Sequence, residues 1–205
     1  SYKEGRKKRS SPTPFTTSML QQEASRKLGF TTRKTMKVAQ ELYEGVDLSD
    51  GSVGLVTYIR TDSLRLSAEA VQQARRYIAE QYSPEYLPDK PKFYKSKNNI
   101  QDAHEAIRPT FISNHEISGT AQEKKLYNLI WKRTIASQMA DAQVEKTSID
   151  INISNRSEHF TATGEVVKFD GFLKVYIEST DDDTADEAKG TLPQVKEGQT
   201  LAINE

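Results

Sequence analysis

Apolar positions recur at helical spacing in four stretches of the chain and at a spacing of two in its last third. Leu20, Ala24 and Leu28 fall at i, i+4 and i+8, with Thr16, Thr17 or Ser18 placed to cap the helix and Gly29 to stop it. Thr31 or Thr32 opens a second helix with Met36, Ala39 and Leu42 or Tyr43 turned inward and Gly45 as its stop. Joined through Leu28-Gly29-Phe30, the two predict a helix-turn-helix-like unit, with Arg33, Lys34 and Lys37 along the first turns of its second helix. A third helix begins at Ser67, carries Glu69 in its first turn, buries Val71, Ala74 and Ile78, and ends before Ser83-Pro84. Thr120 and Glu123 form a capping box for the longest helix, which runs to about Ala142. Leu126, Leu129, Ile130, Ile135 and Met139 face inward there, and Trp131 sits at a packing seam.

The segments between these helices are read as follows. Gly45 to Ser52 is a loop, and Leu55 to Arg60 is an extended strand. Residues 84–99 contain three prolines and predict an irregular surface crossing anchored by Tyr86, Leu87, Phe93 and Tyr94. Asp102 with Glu105 makes a second capping box, so a helix of about one and a half turns runs to Ile107 and places His104 in its first turn. Pro109 disfavours helix at Arg108. After Val144 the period becomes two: Ile149, Ile151 and Ile153 alternate with polar residues, and further strands are expected at Phe160 to Val167, Leu173 to Ile177 and Thr200 to Ile203. The fold class is α+β. A mainly helical domain, residues 15–144, is inserted between residues 1–14, a basic solvated tail or incoming piece of the β domain, and a β-rich piece, residues 145–205.

Composition narrows the function classes. In 205 residues there is no cysteine, which excludes disulfides and thiolate metal sites and fits a reducing cytoplasm. Mean hydropathy is −0.72 and no stretch approaches the length of a membrane span. Net charge is zero, but that average hides a segregation. Glu178 to Ala188 carries six acids and no base, so the remainder has a balance of +6. That is enough to meet a few phosphates. The acidic stretch is read as a loop, and Asp181-Asp182-Asp183, in low-complexity surroundings, is assigned no metal.

The chemistry gathers at GLVTYIRTDS, Gly54 to Ser63. On an extended chain Tyr58 and Arg60 share one face while Ile59 points to the other. A phenol oxygen can attack a phosphodiester while the planar guanidinium fork holds the non-bridging oxygens. A Y-x-R triplet alone is weak, since tyrosine stacked on arginine at a turn is common.

TYIRTDS resembles the active-site signature of type IA DNA topoisomerases. Three other blocks resemble the same family in the expected order: PFTTSMLQQEASRKLGF (Pro14 to Phe30), QDAHEAIRPT (Gln101 to Thr110) and FDGFLKVY (Phe169 to Tyr176). The resemblance implies that Tyr58 is a nucleophile forming a 5′-phosphotyrosine with single-stranded DNA, and that Arg60 stabilises the charge on phosphorus. It also implies strand passage and religation without ATP, relaxing negatively supercoiled DNA. Thr57, Thr61, Asp62 and Ser63 would orient the strand or the arginine, and His104 and Arg108 would contact the DNA backbone. The family's Mg²⁺ is held by an acidic Toprim domain that nothing in this sequence matches. The 205 residues alone are therefore expected to be inactive, as a monomer working with the remaining domains of one cytoplasmic polypeptide. Two other readings stay open: a tyrosine recombinase-like enzyme forming a 3′-phosphotyrosine, and a DNA-binding module without catalysis.

Overall fold

The computed structural model describes residues 2–48, 51–95, 104–177 and 195–201. Among them the α+β class holds, with four α-helices and a three-stranded antiparallel sheet. They divide into two compact units: residues 2–9, 141–170 and 195–201 in one, and 10–140 with 171–177 in the other.

The sheet belongs to the first unit. Its strands are β1 (Tyr2–Arg9), β4 (Ala142–Asn152) and β5 (His159–Phe169), in the order β1-β4-β5. The basic N-terminal run is thus a strand: Arg9 pairs with Ala142 and Tyr2 with Ile149. Its lysines and arginines are exposed along an edge, where charge discourages pairing with another chain. β4 and β5 form a hairpin with a register shift at Gln143/Val144 and left-handed Asn155 in the turn.

The second unit is helical. Thr16 caps α1 (Thr17–Leu28), and Gly29 closes it at φ 64°. Thr31 caps α2 (Thr32–Glu44), Ser67 caps α3 (Ala68–Gln81) and Thr120 caps α4 (Ala121–Ser137). α4 packs against each of the other three. It is buried on nearly every side, which draws Arg133, Thr134 and Ser137 inward with its aliphatic residues. Arg133 is satisfied there: its guanidinium stacks on Phe15 and Tyr176, donates to the Thr13 carbonyl at 2.5 Å, and donates to the Tyr176 hydroxyl, which in turn donates to Glu23. Trp131 meets Tyr77 edge-on and stacks on His115, with its Nε1 donating to the Ile112 carbonyl.

Several expectations are corrected. The longest helix stops at Ser137, and Ala142 already starts β4. Residues 45–52 hold a hairpin rather than a loop, with β2 (Val46–Leu48) antiparallel to β3 (Gly51–Val53). Phe172 to Tyr176 is a 3-10 turn and its continuation, because the Val175 and Tyr176 amides both donate back to the Phe172 carbonyl. No strand forms at Thr200 or Leu201. Phe93 anchors nothing; it is 70% exposed, and Tyr86 and Tyr94 hold the crossing instead. Of α2's two inward candidates, Leu42 is buried and Tyr43 exposed. The cap at Asp102, the crossing beyond Lys95, the acidic stretch 178–190 and Ile203 lie outside the described residues.

Candidate active site

The ten residues from Gly54 to Ser63 do not form a strand. Their only regular pairing among the described residues is an isolated bridge from Val56 to Pro109. From Tyr58 onward the alternation survives without a ladder, because Ile59, Thr61 and Ser63 are buried and leave Tyr58, Arg60 and Asp62 outside; Val56, of the same parity as Tyr58, is drawn into the core and breaks it. Ile59 is 1% exposed and Tyr58 42%.

Three fastenings hold this irregular loop. At its centre, the Thr17 hydroxyl donates to the Ile59 carbonyl at 2.7 Å and accepts from the Thr61 amide at 2.9 Å, while the Thr17 amide donates to the Thr61 carbonyl. Upstream, the Thr57 hydroxyl donates to the Ala106 carbonyl and accepts from the Arg108 amide, and the Thr57 amide donates to the Arg108 carbonyl. Downstream, Thr61 and Ser63 hydroxyls accept the amides of Ser63 and Arg65, shaping a turn that leads to the Ser67 cap. Thr57, Thr61 and Ser63 therefore spend their hydroxyls on the chain itself, the last two nearly buried. Of the signature's candidates, Tyr58, Arg60 and Asp62 face outward.

His104 joins them from the other side. The expected helix is absent over residues 104–107; this stretch is extended, with Ile107 bridged to Phe15 and its amide on the Phe15 carbonyl. His104 is exposed, its ring 6.2 Å from that of Tyr58. Glu105 caps no helix of its own. Its carboxylate accepts the Ser67 amide and both Nε and Nη2 of Arg108, at 3.1 and 2.8 Å. Arg108 gives its remaining Nη1 to the carbonyls of Pro109 and Thr110. Its guanidinium is thus engaged within the chain and little exposed, whereas that of Arg60 has no partner among the described residues.

Burial alone would raise the pKa of Glu105, but the hydrogen bonds and charge of Arg108 and the Ser67 amide prevail and hold it below the ordinary carboxylate value of 4.5. A carboxyl whose folded pKa is depressed stabilises the fold above its unfolded pKa, and that contribution fades as pH falls through the folded value. Glu105→Gln is expected to cost about 2–3 kcal/mol, somewhat under the figure for a fully buried pair, because it strands the Arg108 charge. The variant's urea midpoint should also lose part of the wild type's decline below about pH 4.5. A midpoint equal to wild type at pH 7 would show the clamp to be idle.

Residues that pattern reading passes over thus include Thr17, taken for one of three possible caps, and Glu105, taken for half of a capping box. The His-Glu-Ala-Ile-Arg order did carry a signal, an acid three residues from a base.

Two glycines bring α2 against the loop. A Cβ on Gly54 would lie 2.7 Å from the Tyr43 carbonyl oxygen, and one on Gly45 (φ +84°) only 1.8 Å from that of Val53. Across this close approach the Leu55 amide donates to the Leu42 carbonyl at 2.9 Å. The rings of Tyr43 and Tyr58 stand edge to face, 5.5 Å apart. What the arrangement offers is an accessible phenol and an uncommitted guanidinium, on a rigidly tied loop, beside an exposed imidazole. No group of three or more His, Cys, Asp or Glu able to hold a metal occurs among the described residues, and no helix there is long and apolar enough to cross a membrane.

Comparisons with known proteins converge on one family. A family model described as DNA topoisomerase matches residues 1–205. DNA topoisomerase 1 of Rickettsia bellii is 48% identical over 205 residues, covering 97% of this chain and 25% of that protein. The protein of the same name from Streptomyces coelicolor is 46% identical, with 97% and 21% covered. The solved structure of full-length topoisomerase I from Thermotoga maritima superposes with a TM-score of 0.77 at 38% identity, over 96% of this chain and 31% of that one. The chain spans about a quarter of the length of the curated relatives it matches.

Proposed function

Since the chain belongs to the bacterial type IA DNA topoisomerase family, we propose that it supplies the nucleophile and the phosphate-binding arginine of a DNA strand-cleaving site. The observation that carries this reading is the pairing of two exposed, uncommitted side chains, Tyr58 and Arg60, on a loop whose threonine and serine hydroxyls are all tied inward. Tyr58 Oη attacks a phosphorus of single-stranded DNA, the P–O3′ bond breaks, and the strand's 5′ end is left on tyrosine. The phenol's proton departs, and the released 3′ oxygen takes one up. Reversal restores the phosphodiester, so its energy is kept in the covalent link and no nucleotide triphosphate is required. Arg60 places its fork on the non-bridging oxygens, where charge grows in the transition state.

His104 contacts a neighbouring phosphate, and Asp62 faces the same side. Thr57, Thr61, Ser63 and Arg108 act one step back, by fixing the loop and the 104–110 segment against each other. Mg²⁺ use accords with the family, but the residues described do not compose a site for it. Glu105 is already committed to Arg108 and Ser67, and no step here is assigned to the ion. The whole-length match favours neither a recombinase-like 3′ linkage nor a non-catalytic module.

The deciding experiment uses the full-length enzyme on single-stranded oligonucleotides labelled at either end, with relaxation of negatively supercoiled plasmid in parallel. The adduct should map to Tyr58 through a 5′-phosphate. A 3′ linkage would overturn the reading. In the same assay His104→Ala is expected to weaken strand binding to a similar extent for every sequence, as a phosphate contact does. A changed base preference would place His104 on a base instead.

A further inference from the structure

Tyr43 stands out among the exposed aromatic residues of the helical unit. It lies on the last turn of α2, next to fully buried Leu42, yet its own ring is 39% exposed and its hydroxyl has no hydrogen-bond partner among the described residues. The part of a large apolar ring that stays in water adds nothing to the core. The backbone nevertheless fixes it: Gly54 passes directly beneath its carbonyl, and the Leu55–Leu42 hydrogen bond locks the helix end to the loop. Tyr43, Tyr58 and His104 then form a continuous row of exposed rings, with Tyr58 in the middle.

We propose that Tyr43 is a stacking platform for the nucleobase of the nucleotide adjoining the scissile phosphate. The inference rests on the strand-cleavage reading above and adds a subsite to it. The Tyr43 centroid is 5.5 Å from that of Tyr58, a separation that a single nucleotide spans, so a strand whose phosphate is held at Tyr58 Oη has a flanking base in reach of Tyr43. Every base has a π-face, so a platform of this kind binds single strands whatever their sequence, with a mild preference for bases that stack strongly. It also favours single strands over duplex, because a base paired within a helix has its faces covered by its neighbours. Stacking needs the ring and not the hydroxyl.

The test pairs protein variants with abasic substrates. In the full-length enzyme, strand affinity and adduct formation are measured for wild type, Tyr43→Ala and Tyr43→Phe, on an oligonucleotide cleaved at one mapped position and on versions abasic at successive flanking nucleotides. On the intact strand Tyr43→Ala is expected to bind about 5- to 100-fold more weakly, and Tyr43→Phe within about twofold of wild type. With the adjoining nucleotide abasic, wild type and Tyr43→Ala should converge. The proposal is overturned if Tyr43→Ala binds like wild type, if Tyr43→Phe loses as much as Tyr43→Ala, or if the Ala penalty is the same wherever the abasic site lies. The adducted residue is identified in the same samples. Adduct on Tyr58 with an unchanged Tyr43→Ala would sink the stacking subsite alone, whereas adduct on another residue would sink the cleavage reading.

Discussion

In a full-length enzyme carrying Tyr58→Phe, single-stranded DNA is expected to bind as before, no covalent adduct should form, and relaxation should fall by something on the order of 10⁶, the scale seen when a covalent nucleophile is removed. The separation of binding from chemistry follows from where the side chain stands. Its hydroxyl makes no hydrogen bond among the described residues, so its loss breaks nothing in the fold. Phenylalanine keeps the ring against Tyr43 and His104. The loop is fastened through Thr17 and Thr57, neither of which touches the phenol oxygen. Denaturant midpoints of the two proteins should therefore coincide. Residual adduct in the variant, traced by peptide mapping to some other residue, would remove Tyr58 from the role.

The second large effect belongs to Arg60. Arg60→Ala is expected to lower the cleavage rate by about 10²–10³, as the loss of one donor to a developing oxyanion does. Arg60→Lys should recover only part of that, since an ammonium offers a point charge in place of two parallel donors. The effect should fall mainly on the rate of adduct formation rather than on strand affinity, because charge accumulates on phosphorus only as the new bond forms. Since no acid in the described structure competes for this guanidinium, the variant leaves no stranded partner, and its stability should match wild type. A lysine variant with full activity, or an alanine variant defective only in binding, would show that Arg60 merely attracts DNA.

The helices were legible from the sequence because each carries its own instructions. Thr16, Thr31, Ser67 and Thr120 cap from within three residues, and Gly29 ends α1 by its own left-handed backbone. The shape of the site loop was not legible, because its hydrogen bonds go far afield. Thr17 bonds to residues more than forty positions away, and so does Thr57. No local pattern announces such pairings, so a strand was the nearest regular guess for a segment with alternating burial. The same reason explains Glu105. Its apparent capping partner was three residues upstream, whereas the Ser67 amide it accepts is thirty-eight residues away. The outward placement of Tyr58 and Arg60 was nonetheless readable, since a phenol and guanidinium two apart face the same way once Ile59 is buried between them.

The meeting of the Leu42 carbonyl with the Leu55 amide short-circuits the chain at the foot of the β2–β3 hairpin. What lies beyond that junction is a closed excursion, and the Gly54–Ser63 loop does not register its length. Doubling such a loop changes its closure entropy by only about 0.6 kcal/mol. Insertions and deletions between Val46 and Val53 should therefore pass through selection with little penalty, making the hairpin the place where relatives differ in length while Gly45 and Gly54 stay fixed. For the same reason it is a natural port for engineering. A fluorophore or affinity tag grafted there should leave the Gly54–Ser63 loop in place.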